Sequence, residues 1–85
     1  MFAASKFGLS GLMAHVGNHR EIVGKNIRDC RTNAGLTLEK LAERAEMSWP
    51  YLSEIERGRE NISLEKLARL AQALNVTLSK LVENA

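Results

Sequence analysis

Between Thr37 and Arg59 the chain reads TLEKLAERAEMSWPYLSEIERGR, and this stretch most restricts what it can fold into. It reads as two short helices joined by a tight break at Glu46-Met47. Thr37 and Ser48 stand where a side-chain oxygen accepts a hydrogen bond from a free helix N–H. Leu38, Leu41, Ala42 and Ala45 recur at i, i+3, i+4 and i+7, one face of a helix. Leu52 and Ile55 keep the spacing in the second segment, and Gly58 ends it.

The flanking sequence follows the same rules. Val23, Ile27, Cys30 and Ala34 form an apolar stripe over Glu21–Ala34, with Lys25, Arg28 and Arg31 off it and Gly35 as the stop. Ser63 opens a helix whose broad apolar face is Leu64, Leu67, Ala68, Leu70, Ala71 and Leu74, closed by Asn75. Thr77 opens a last short helix with Leu78, Leu81 and Val82. Three helix starts share one formula, Thr37-Leu-Glu-Lys-Leu-Ala, Ser63-Leu-Glu-Lys-Leu-Ala and Thr77-Leu-Ser-Lys-Leu-Val. Their unequal spacing marks a reused start signal rather than a solenoid repeat. With one proline, 5% aromatic residues and few β-branched runs, the expectation is an all-α chain of five compact helices. Its 85 residues suit one domain, residues 20–85.

Residues 1–19 differ in composition. Gly8, Gly11 and Gly17 weaken any helix there, while Leu9, Leu12, Met13 and Val16 keep helical spacing behind Ser10, so the segment reads as an arm or a short helix. Lys6 followed by an apolar stretch is a weak match to a signal peptide, because the glycines and His15 interrupt it. No apolar run approaches a membrane span. Cys30 is alone, so no intramolecular disulfide forms and a reducing, cytoplasmic setting is expected. The net charge of +2 fits a nucleic-acid partner without indicating one.

Catalytic and metal readings are poorly served. His15 and His19 have i, i+4 spacing, but Gly17 lies between them and no Glu or Cys completes a ligand set. Cys30 sits on the apolar stripe as a core thiol. No nucleophile–base arrangement or phosphate-cradling glycine motif is present, so neither enzyme activity nor a cofactor is expected.

Several of these residues, taken in order, resemble the phage-repressor and Cro-type (XRE-like) helix-turn-helix regulators. The carriers are Ile27-Arg28-x-x-Arg31, Gly35-Leu36-Thr37, Leu41-Ala42, Ser48-x-x-Tyr51-Leu52-Ser53-x-Ile55-Glu56-x-Gly58, and Ser63-Leu64 with Leu67, Leu70, Ala71 and Leu74. The resemblance implies a five-helix lambda-repressor-like domain. It further implies a sequence-specific, homodimeric transcriptional regulator of bacterial or phage type, with residues 48–57 as recognition helix in the major groove of double-stranded DNA. Base contacts would then fall to Trp49, Pro50, Ser53 and Glu54. Trp49 and Pro50 depart from the usual polar readers and suit a thymine methyl or sugar, while Glu54 suits a cytosine amino group. Phosphate contacts would come from Thr37, Lys40, Arg44, Ser48, Tyr51, Arg57, Arg59 and Asn61. The same resemblance pairs Arg31 with Glu56 as a structural ion pair and puts dimer contacts at Val76, Leu78, Leu81 and Val82. The rival expectation is an antitoxin or adaptor that uses this fold to hold a protein partner, such as a toxin, to which Trp49-Pro50 and Glu54 are also suited.

Overall fold

The computed structural model describes the backbone from Gly8 and the side chains from Asn18. The readings for residues 1–7, and for the side chains of Leu9, Leu12, Met13, His15 and Val16, lie outside the described residues. Within them the chain is all-helical: α1 Gly8–Asn33, α2 Leu38–Arg44, α3 Trp49–Glu56, α4 Leu64–Leu74 and α5 Leu78–Leu81. None is long and apolar enough to cross a membrane.

The helix starts obey their shared formula atom for atom. The hydroxyls of Thr37, Ser63 and Thr77 accept from the backbone N–H of Lys40, Lys66 and Lys80, each at 3.1 Å, and Ser48 accepts from Tyr51 N at 3.3 Å. Each bond satisfies one of the N–H groups that a helix start leaves free. The ends are equally regular. Gly35, Glu46, Gly58 and Asn75 all take the left-handed conformation, and the residue after each donates its N–H back to the last turn: Leu36 to Arg31 O, Met47 to Ala42 O, Arg59 to Glu54 O and Val76 to Ala71 O. Glu46 holds this conformation without glycine's freedom, at roughly 1–2 kcal/mol.

The first helix begins well before the expected Glu21. No proline interrupts residues 8–33, and glycine lowers helix stability by only ~1 kcal/mol without ending the hydrogen-bond ladder. Ser10 therefore lies inside α1, and the spacing of Leu9, Leu12, Met13 and Val16 runs in phase with that of Val23 and Ile27.

The core joins Ile27 and Cys30 of α1, Leu41 and Ala42 of α2, Leu52 and Ile55 of α3, Leu67, Leu70, Ala71 and Leu74 of α4, and Leu81 of α5. Three stripe residues are exposed outside it, Val82 just past α5 among them. Ala34 is exposed just past the end of α1, and Leu64 in the first turn of α4 is 70% exposed. Leu81, an expected dimer contact, is 0% exposed and belongs to the monomer core, because the short α5 turns it inward between α1 and α4. The Asn26 amide fastens this end of the chain, donating to Leu81 O at 3.0 Å and Glu83 O at 2.9 Å, and His19 Nδ1 lies 3.1 Å from Ala85 O.

Candidate nucleic-acid interface

Helix α3 has two unlike faces. Leu52 and Ile55 are buried beneath it, whereas Trp49 and Pro50 are exposed and Ser53 and Glu54 half-exposed on the other side. Its seat on α1 depends on Gly24. A Cβ there would collide with Ile55 O and lie 2.7 Å from Glu56 O, so the two helices meet backbone to backbone. Gly58 repeats this closeness: a Cβ would come within 2.9 Å of Glu21 Cα.

The last turn of α3 is held by charge. Arg31 Nε donates to Glu56 Oε2 at 2.7 Å and Nη2 to Oε1 at 3.0 Å, a two-pronged pair, while Nη1 donates to Leu36 O at 3.0 Å. The two side chains are only 15% and 7% exposed. The hydrogen bond to Glu56 holds the Arg31 guanidinium above its ordinary, already very high value; burial opposes this, and the charges of Glu56 and Glu39 add to it. Arg31 therefore stays charged at any usable pH. With three of its donors committed inside the fold, it positions α3 rather than offering itself to an outside anion.

The residues expected to meet phosphate lie on α2, on α3 and in the segments that adjoin them. Thr37 and Ser48 spend lone pairs on their caps but keep a hydroxyl proton to donate. Lys40 lies 3.5 Å from Glu43, and Arg44 has no carboxylate within 4 Å among the described residues. Arg57 and Arg59 both lean on Glu54, at 3.8 and 3.7 Å. Half-buried Tyr51 carries the Lys66 ammonium 4.6 Å from its ring centroid and 3.5 Å from its hydroxyl. Asn61 is exposed and lines a shallow groove with His19, Arg20 and Ile62, on the side where α1 meets the α3–α4 loop. At the far end, Val76 and Leu78 are half-buried against the core and Val82 is 38% exposed.

Sequence reasoning passed over Gly24, Asn26 and Lys66. The legible signal for Gly24 was a glycine beside Val23 on the apolar stripe, where a helix interior disfavours it. Asn26 and Lys66 carried none, since their partners lie 55 and 15 residues away.

Two capped helices set across a tight turn, the second with one face buried and one open, define a helix-turn-helix unit. Residues 27–81 match the HTH_3 helix-turn-helix family, and the chain belongs to that family. It is 44% identical over 59 residues to the HTH-type transcriptional regulator DdrOP3 of Deinococcus deserti, covering 69% of this chain and 46% of that protein. The chain thus spans about half the length of the curated relatives it matches first. Among solved structures, the clp gene regulator ClgR of Corynebacterium glutamicum superposes with a TM-score of 0.73 at 41% identity, covering 74% of this chain and 81% of that one. SinR, a master regulator of biofilm formation solved in complex with DNA, superposes with a TM-score of 0.69 at 34% identity, covering 72% and 98%. All three of these relatives are regulators.

Proposed function

We propose that this chain is a DNA-binding transcriptional regulator in which α3 enters the major groove. The observation that carries this reading is the split character of α3: its underside is locked by Gly24, Leu52, Ile55 and the Arg31–Glu56 pair, and its upper face is open. A reader must be rigid below and unpartnered above, because base edges discriminate only when donors and acceptors arrive in a set geometry. That SinR, a protein of like fold, is solved in complex with DNA supports a DNA partner for this chain. Trp49 and Pro50 would pack against a thymine methyl or sugar, and Ser53 and Glu54 would hydrogen-bond base edges. Thr37, Lys40, Arg44, Ser48, Tyr51 and Asn61 would fix the register on phosphates, joined by Arg57 and Arg59. Selection of bound duplexes from a random pool at stated salt should enrich one short motif with two related halves. A pool that stays random after several rounds would remove sequence-specific binding.

The protein would act as a homodimer, since one α3 makes few base contacts and two half-sites about 34 Å apart double them. With Leu81 committed to the core, Val82 and the partly exposed flanks of Val76 and Leu78 remain as the contact surface. Sedimentation at micromolar concentration should give a dimer in the presence of the selected duplex, and Val82→Glu should weaken binding to the two-half site much more than to a single half. A monomer both with and without the duplex would end this part of the reading.

A further inference from the structure

Glu54 is the only carboxylate on the outer face of α3, shared with Trp49, Pro50, Ser53 and Arg57. Its two oxygens serve different arginines: Oε2 lies 3.8 Å from Arg57 Nη1 and Oε1 lies 3.7 Å from Arg59 Nη1. Arg57 is one helical turn along. Arg59 lies beyond the helix end and returns only because Gly58, at φ 76°, turns the chain so that Arg59 N donates to Glu54 O at 2.9 Å. Arg57 and Arg59, two cations at the end of the reading face, are thus both drawn to one carboxylate at the reading edge, which offsets one of their two charges.

We infer that Glu54 is a specificity-determining residue that withholds Arg57 and Arg59 from phosphate until its carboxylate meets an amino-bearing base edge. The inference rests on the DNA-binding reading and deepens it. A cation contributes to duplex binding by neutralising a phosphate and releasing its counterions, and one already balanced by a carboxylate contributes less. A carboxylate is acceptor-only, so guanine N7 and O6 or thymine O4 repel it, whereas the N4 amino group of cytosine or N6 of adenine satisfies it. On the wrong sequence Glu54 keeps its arginines and adds its own repulsion toward phosphate. On the right one the base takes the carboxylate, and both guanidinium groups turn to the backbone. The pairs are solvent-exposed and individually weak, which lets a base contact exchange them.

The test measures binding of the full chain to a random-sequence duplex and to the selected duplex across about 50–200 mM salt. Glu54→Gln should bind the random duplex roughly three- to tenfold tighter at the low-salt end, with a log–log salt slope steeper by about one. The preference for the selected duplex should shrink correspondingly. Glu46→Gln, which removes an exposed carboxylate from the α2–α3 turn, should leave the slope unchanged. In an Arg57→Ala, Arg59→Ala background, Glu54→Gln should no longer steepen the slope. Unchanged random-duplex binding in Glu54→Gln overturns the inference, as does a slope change that survives loss of both arginines. Wild-type protein that binds neither duplex overturns the DNA-binding reading, and the inference with it. Melting curves of Glu54→Gln should overlay the wild type, because the side chain is 39% exposed and outside the core.

Discussion

Gly24→Ala is expected to lower the melting temperature by more than ten degrees. Alanine ordinarily strengthens a helix interior relative to glycine by about 1 kcal/mol, so local propensity alone predicts the opposite sign. The new methyl, however, would collide with Ile55 O and lie 2.7 Å from Glu56 O and 3.0 Å from Glu56 C. These are backbone atoms, and no rotamer change moves them aside. α1 and α3 must separate, loosening the core that Ile27 shares with Leu52 and Ile55 and stretching the Arg31–Glu56 pair. Overpacking a tight contact costs about 1–3 kcal/mol and more when the backbone itself must yield; a net loss of roughly 3 kcal/mol outweighs the propensity gain. For a domain of this size each kcal/mol shifts melting by about 4–8 °C. Thermal unfolding followed by circular dichroism checks it, with Lys25→Ala, on an exposed neighbour, as the unaffected control. A Gly24→Ala protein that melts with or above the wild type would contradict the backbone-to-backbone seat of α3.

Glu56→Ala should be as damaging by a different route. The Arg31 guanidinium is 15% exposed, and among the described residues Glu56 is its only carboxylate within 4 Å. Removing that carboxylate leaves a buried, uncompensated cation, a loss of about 3–5 kcal/mol, equivalent to a drop well beyond ten degrees. Glu56→Gln keeps the shape and one acceptor oxygen but not the charge, and should fall between. Replacing both partners, Arg31→Met with Glu56→Leu, should recover most of the stability, since two apolar groups carry no desolvation penalty. If single and double variants melt alike, within a degree or two of wild type, the pair contributes little to the fold. The recovered double variant also separates stability from positioning: folded but with a looser α3, it should bind the selected duplex less tightly than wild type.

Most of the helical framework is legible in local sequence. Thr37, Ser48, Ser63 and Thr77 announce starts, and Gly35, Gly58 and Asn75 announce ends, because a cap involves residues within three or four positions of one another. Glu46 hid its left-handed role, since nothing marks a glutamate for that conformation as a glycine would be marked. Apolar stripes name the core correctly in the middle of each helix and overreach at the ends, as at Ala34 and Leu64, because periodicity cannot tell how far a neighbouring helix extends. The early start of α1 shows the converse: glycines inside a helical phase weaken it without ending it. Trp49, Pro50, Ser53 and Glu54 were legible as one helix face, but not the state of their charges. Glu54 and Arg57 are one turn apart and their pairing can be anticipated, whereas Arg59 reaches the same carboxylate only through the turn at Gly58.

The sequence alone decided that Thr37–Arg59 would be two capped helices around a tight turn, because caps, stripes and stops act over a single helical turn. The tertiary structure decided how that unit is held and what it exposes. Gly24 allows α3 to rest on the backbone of α1, Arg31 reaches Glu56 across 25 residues, and Leu81 turns inward while Val82 stays at the surface. Each depends on the separation of segments remote in the chain, which packing sets through excluded volume and the burial of charge, and which no spacing of residues along one helix encodes.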